Sequence, residues 1–334
     1  MQHIMFGRII IITFILALSI VDMNAQLFSY PKENPIELGK VNWLRSYGTA
    51  LKKSKDVKQP ILILFQEVPG CSNCTKFGNE ILSQPLIVEA IESYFIPLCI
   101  YNNKGGSDKE VLEKYEEPSW NNPVIRVVDQ TGKDIIDRQP DFRSQTKTLN
   151  TIINAIKKSG KEIPGYLKIL LEETVAQESG TTEEAFLSMY CFWSGEKEIG
   201  GMPGIVSTEA GYMHGKEVVK INFDRKITSL STIVEKANKL RCADQVFATV
   251  QKDDNISVKP TGKYRKDSED KYYLSKSEFR IIPMTELQKT KVNRALGIGQ
   301  DPGPYLSPRQ LSLLKTCKSA KSQIGNKMDE VWYN

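Results

Sequence analysis

The sequence has almost no histidine, one close pair of cysteines, no dense basic block and, beyond its first two dozen residues, no long apolar run. Each shortage removes a class of protein. His3 and His214 are the only imidazoles, and of six cysteines (Cys71, Cys74, Cys99, Cys191, Cys242 and Cys317) only Cys71 and Cys74 are closely spaced. A four-ligand structural zinc needs a second Cys or His pair, so no metal is expected, nor any other cofactor. Lys and Arg total 45 against 40 Asp and Glu, a net charge of +5 spread along the chain. That pattern describes a solvated surface and gives no support to nucleic-acid binding. No stretch after the N-terminus is long and apolar enough to span a bilayer.

What is present begins with a leader. Arg8 supplies a positive flank, Ile9 to Val21 an apolar core of 13 residues, and Ala25 a small residue before a cut at Gln26. This is the pattern of a secretory signal and is short for a spanning helix. The protein is therefore expected to be exported, periplasmic or extracellular. An even cysteine count in an exported chain invites a disulfide framework. Yet this chain is long enough to build cores without staples, and redox chemistry is the better use for a single close pair.

Trp43 to Lys55 has helical spacing, and the apolar run ILILFQ after Pro60 has the character of a central parallel strand. It leads into Glu67-Val68-Pro69-Gly70-Cys71-Ser72-Asn73-Cys74. Strand, turn, Cys-x-x-Cys and helix follow in the thioredoxin order. A first Cys at a helix N-terminus is exposed with its thiolate favoured, and a second one turn on can resolve a mixed disulfide. Tyr94 to Tyr101 and Val124 to Asp129 read as further strands, with Pro123 where thioredoxins keep a cis-proline facing the redox pair. Cys99 reads as an inert core thiol. Ser144 to Lys157 closes this unit as a helix, residues 158–165 form a linker, and Tyr166 to Gln177 reads as a helix entering a second unit. Thr181 or Thr182 is a candidate N-cap.

In the second unit a short apolar segment brings Cys191 to a strand-to-helix junction, followed at once by Phe192 and Trp193. Free N–H groups and the helix dipole favour a thiolate there, and the two rings form an apolar wall. In Lys216 to Asp224, Val219, Ile221 and Phe223 alternate onto one face. Glu217 shares that side, where apolar surroundings favour a neutral, proton-delivering carboxyl. The plainer reading of Cys191 is a buried thiol beside core aromatics. Ser229 to Leu240 reads as an amphipathic helix, Asp253 to Asp270 as a mobile polar loop, and Met284 to Leu296 as a helix. Thr285 and Ser307 read as caps.

Two resemblances add to this. The run CFWSGEKEIGGMPGIVSTEAGY resembles the catalytic stretch of peptide methionine sulfoxide reductase A at Cys191, Phe192, Trp193, Glu196, Pro203, Gly204, Thr208, Gly211 and Tyr212. His214-Gly215-Lys216-Glu217-Val218-Val219 is similar to that family's Gly-His-x-Glu-Val-Val strand with its first two residues exchanged. The resemblance implies Cys191 as nucleophile on a sulfoxide sulfur, Phe192 and Trp193 as a methyl pocket, and Glu217 as the acid on the sulfoxide oxygen. It implies Tyr212 as a hydrogen-bond donor to that oxygen and Glu196 as a first-turn helix acid. The chain departs from the family at Tyr190 and Ser194, where glycines are usual, and in a substrate loop cut to Met213 to Lys216. The downstream segments that give the family an Asp and a Tyr have no evident match. Val68-Pro69-Gly70-Cys71 also resembles a thioredoxin-like family of selenoproteins named for Val-Pro-Gly-Sec-x-x-Thr, with Cys71 at the selenocysteine and Cys74 at the Thr.

The expected architecture is an α/β thioredoxin-like domain followed by an α+β methionine sulfoxide reductase A-like domain with a C-terminal helical extension. The bounds are 1–25 for the leader, 26–160 for the first domain, 161–180 for linker and entry helix, and 181–334 for the second. The expected function is an exported thiol oxidoreductase acting on oxidised protein or peptide substrates. Cys191 reduces an oxidised sulfur, Cys242 or Cys317 resolves it, the Cys71/Cys74 dithiol recycles it, and a membrane-linked thiol donor supplies electrons. The alternative is a disulfide reductase or isomerase whose second half only binds clients.

Overall fold

The computed structural model describes residues 34–140, 144–240, 243–249 and 256–320, with Met328 and Trp332, apart from the side chains of 317–320. The expected leader and Cys242 lie outside the described residues. Cys317 lies in the last helix, and its side chain is outside them too.

The first unit is built on β1 (Ile61–Gln66), β2 (Ile96–Tyr101) and β3 (Val124–Val128), in the order β2-β1-β3. β1 runs parallel to β2 and antiparallel to β3. Every residue of β1 is buried, which is why ILILFQ shows no alternation: helices cover both faces. Leu62 and Leu64 join the core under α3 (Pro85–Tyr94) and α5 (Gln145–Lys158). Ile61, Ile63 and Phe65 join the one that includes α1 (Tyr47–Val57) and α4 (Ser107–Lys114). The short α2 (Ser72–Lys76) continues directly into a π-type turn, Phe77–Ile81. The helix expected from Trp43 begins only at Tyr47, because the Ser46 side chain caps it by accepting from the Thr49 N–H. Upstream, Leu44 pairs with Leu98 as an isolated bridge.

The next helix, α6 (Gly165–Ser179), does more than enter the second unit. Tyr166, Leu167 and Leu170 complete the first core, while Glu173 accepts from the Leu287 N–H at 3.3 Å. Neither Thr181 nor Thr182 caps a helix. A strand starts at Thr182, and Thr181 Oγ1 donates to Asp224 Oδ1 at 2.7 Å.

The second sheet has the order β8-β7-β4-β6-β5-β9. Its strands are β4 (Thr182–Ser188), β5 (Ile205–Met213), β6 (Lys216–Asp224), β7 (Gln245–Ala248), β8 (Val258–Lys259) and β9 (Arg265–Lys266). α7 (Phe192–Ile199) and α8 (Leu230–Lys239) pack on the face carrying Leu187, Val219, Ile221 and Phe223. Phe186, Met213, Val218 and Phe247 form a smaller cluster with Tyr264 beside them. The β5–β6 turn is His214-Gly215, both at positive φ (51° and 74°). A two-residue hairpin turn of this hand favours Gly at its second position, which fits the exchanged order noted in the sequence. The segment expected as a mobile loop is tied down from 256 onward: it contributes β8 and β9, and Asp270 Oδ1 accepts from the Ala210 N–H at 3.1 Å.

The chain ends through α9 (Tyr272–Ser275), α10 (Glu286–Gly297) and α11 (Pro308–Ala320). Thr285 and Gln288 form a capping box on α10, and Ser307 Oγ accepts from the Gln310 N–H at 3.2 Å. Glu89 of α3 binds the start of α11 through Ser307 Oγ (2.6 Å) and the Arg309 N–H (2.8 Å). Among the described residues no helix is long and apolar enough to cross a membrane.

Candidate active site

Among the described residues two thiol centres stand out, one per sheet. In the first, Cys71 is the exposed N-cap of α2 and Cys74 lies buried one turn on, with sulfurs 3.5 Å apart. The peptides Val68–Pro69 and Asn122–Pro123 are both cis. Asn122 places Oδ1 2.7 Å from Cys74 Sγ and 4.0 Å from Cys71 Sγ. Partial burial works against ionisation of Cys71, but hydrogen bonds from the Cys74 N–H, the Cys74 thiol and the Asn73 N–H outweigh it and lower its pKa. Burial, reinforced by the Cys71 sulfur, pushes Cys74 up to about 12. The thiolate is thus favoured at the exposed sulfur, and burial favours the thiol form of the other. Cys99, fully buried in β2, is pushed up by burial alone in the main.

Gly70 has no room for a side chain: a Cβ there lies 2.3 Å from the Glu67 carbonyl oxygen and 2.7 Å from Cys74 Cβ. Its N–H donates to Glu37 Oε1 at 2.7 Å, and Gln66 Nε2 donates to the Glu37 and Cys74 carbonyls at 2.7 and 3.2 Å. Trp120, 81% exposed, stands two residues before Asn122.

In the second centre, the chain leaves β4 through Met189 and the exposed Tyr190 to reach Cys191, the half-buried N-cap of α7. Glu217, on β6 beside β4, accepts from the Phe192 N–H through Oε2 at 3.0 Å, which places its carboxyl next to the Cys191 peptide. Tyr212 is the cross-strand partner of Glu217, and same-face neighbours in such a pair stand side by side. Phe192 packs edge-to-face on Tyr212 at 5.3 Å and lies 5.5 Å from Trp193. Cys191, Phe192, Trp193, Tyr212 and Glu217 are therefore gathered at one end of the sheet.

Three partners were invisible in the sequence. Tyr272 stacks on Trp193 at 4.2 Å, Asp267 Oδ2 accepts from the Trp193 indole at 3.4 Å, and Arg265 lies over the Tyr212 ring at 4.3 Å. An Asp and a Tyr do stand at this site, Asp267 from within the segment read as a loop and Tyr272 from just beyond it; their five-residue separation within a polar run was too weak a signal. Glu196 is not the first-turn acid expected, because α7 starts at Phe192 and places it in the second turn. It is fully buried and accepts from Thr208 Oγ1 (3.3 Å), the Lys271 N–H (3.0 Å) and Lys271 Nζ (3.4 Å). Lys271 Nζ also donates to the Thr208 carbonyl. Burial pushes Glu196 up to about 7, with the Lys271 charge opposing it and Asp270 adding to it. This cluster holds the residue before Tyr272, and with it the floor under Trp193.

A β2-β1-β3 sheet with helices on both faces and a Cys-x-x-Cys at a helix N-terminus defines the first unit as a thioredoxin-like domain. The family model described as thioredoxin-like domain matches residues 47–169. The peptide methionine sulfoxide reductase MsrA of Methanococcus maripaludis is 35% identical over 71 residues, 16% of this chain and 45% of that protein. The chain thus spans less than half the length of this curated relative. Among solved structures, a DsbH oxidoreductase is 20% identical with a TM-score of 0.31, covering 38% of this chain and 92% of its own. A thioredoxin from Thermus thermophilus is 19% identical with a TM-score of 0.32, covering 36% and 90%.

Proposed function

We propose that this protein is an exported two-centre thiol oxidoreductase in which Cys191 reduces methionine sulfoxide in polypeptides and Cys71/Cys74 regenerates it. The observation that carries the reading is the Glu217 carboxyl hydrogen-bonded to the N–H that follows Cys191, beside Phe192, Trp193 and Tyr212. With Oε2 on that N–H, Oε1 is left for the substrate oxygen.

The Cys191 thiolate attacks the sulfoxide sulfur while Glu217, aided by Tyr212, protonates the oxygen. The oxygen passes to Cys191, leaving methionine and a sulfenic acid. A second thiol, Cys242 or Cys317, condenses with the sulfenic acid and releases water. Cys71 attacks the resulting disulfide, Cys74 resolves the mixed disulfide, and two electrons have moved from the first centre to the second. A membrane-linked thiol donor reduces the Cys71–Cys74 disulfide. Carrying both centres on one chain raises the effective concentration of the recycling dithiol to about the millimolar range of short tethers.

Turnover of peptide-bound methionine sulfoxide with dithiothreitol tests this. The purified chain and the Cys71→Ser/Cys74→Ser variant are expected to turn over, and Cys191→Ser to be inactive. Reduction of insulin disulfides without any sulfoxide turnover supports the alternative, a disulfide reductase whose second half binds clients.

A further inference from the structure

The turn that presents the dithiol carries a third donor that the redox cycle does not use. Glu67, half-buried at the end of β1, places a carboxylate oxygen so that it, Cys71 Sγ and Cys74 Sγ all lie within 4.8 Å of one another. Asn122 Oδ1 approaches from the opposite loop, 2.7 Å from Cys74 Sγ and 4.0 Å from Cys71 Sγ. A negative oxygen beside two sulfurs repels the thiolate that a dithiol nucleophile needs. The same oxygen becomes favourable once a cation lies among the three.

We propose that Glu67, Cys71 and Cys74 form a Zn²⁺ site in the reduced protein, with Asn122 facing the fourth position. Two thiolates and a carboxylate suit a borderline-soft, tetrahedral ion rather than magnesium or calcium, which take oxygen donors. Two sulfurs each about 2.3 Å from one zinc stand about 3.8 Å apart in a tetrahedron, and the observed 3.5 Å needs little adjustment. Binding replaces the protons still carried by the Cys71 and Cys74 thiols with Zn–S bonds and releases them to solvent; no electron moves. Oxidation to the Cys71–Cys74 disulfide removes both sulfur ligands. Zinc and disulfide are therefore alternative occupants of one centre, and zinc holds the reduced dithiol out of exchange. The sequence missed this because only two of the donors are cysteines and the third is an ordinary acid four residues upstream.

The test needs no turnover and stands apart from the sulfoxide reading. The full chain, reduced or with the Cys71–Cys74 disulfide formed, is titrated with Zn²⁺ against a chromogenic chelator, and with Cd²⁺ to read thiolate charge transfer in the ultraviolet. Cys71→Ser/Cys74→Ser supplies the background from the other cysteines. One equivalent above that background is expected for the reduced chain and none for the oxidised one. Losing even a ligand's hydrogen-bond partner costs about 10–100-fold in metal affinity, so Glu67→Gln is expected to weaken binding at least about tenfold. Circular dichroism establishes that this variant is folded, and the comparison of reduced and oxidised chain requires no substitution. Equal affinity in Glu67→Gln, or no excess binding by the reduced chain, overturns the site.

Discussion

Lys271→Met probes whether the floor of the second centre rests on its buried ion cluster. Lys271 and Glu196 have side chains 5% and 0% exposed, and the lysine joins Glu196 to the Thr208 carbonyl. Removing one partner of a buried pair costs about 3–5 kcal/mol because the other charge is left uncompensated. Here that cost depends on pH. Burial raises Glu196 from 4.5 to about 7, and Lys271 is the main influence opposing the rise. A carboxyl raised in the folded state leaves stability intact below its unfolded value, and stability is lost as pH climbs to the folded value. For the native chain that loss is complete near pH 7; without Lys271 the carboxyl is raised further and the loss continues to higher pH. At pH 6 the variant is expected to lose only its hydrogen bonds, about 1–2 kcal/mol. Above pH 7 the deficit grows by about 1.4 kcal/mol per pH unit, reaching about 3–4 kcal/mol at pH 8.5. Urea unfolding followed by tryptophan fluorescence at the two pH values measures it. The reasoning fails if the deficit is the same at both, or if adding Glu196→Gln restores nothing at pH 8.5.

Three further outcomes are expected. Iodoacetamide on the reduced Cys191→Ser chain modifies Cys71 and spares Cys74, and the Cys71 rate rises with pH earlier than that of a free thiol, as mass mapping of the alkylated peptides will show. Glu217→Gln keeps an acceptor for the Phe192 N–H, so melting changes little, while sulfoxide turnover falls about 100-fold or more through loss of the acid. Gly70→Ala forces a Cβ against Glu67 and Cys74 and is expected to cost about 1–3 kcal/mol, with slower insulin reduction; an unchanged melting curve contradicts the packing described.

What could be read without coordinates was local. The Cys71/Cys74 turn was legible because an apolar run, a Pro-Gly turn and a Cys-x-x-Cys stand in succession, each with its own physical signature. Cys191, Phe192 and Glu217 were legible because β6 alternates cleanly and the triplet sits at a strand end. Contacts between distant segments were not. Trp193 on Tyr272 spans 79 positions in the chain, Glu196 on Lys271 spans 75, and nothing in a polar stretch marks which lysine will be buried. That α6 also completes the first core was not legible: Tyr166 and Leu170 face that core while Glu173 meets α10. The start of α1 was misplaced for a smaller reason, since Trp43 and Leu44 continue the helical spacing but Ser46 supplies the cap.

Oxygen transfer to the sulfur of residue 191 is tested most directly by trapping it. The reduced chain, freed of thiols, receives one equivalent of a methionine sulfoxide peptide together with dimedone, and the modified residue is located by mass spectrometry. A dimedone adduct on Cys191, formed with loss of sulfoxide and absent in Glu217→Gln over the same interval, is the expected result. An unmodified Cys191 with the sulfoxide intact, or an adduct only at Cys71, contradicts it.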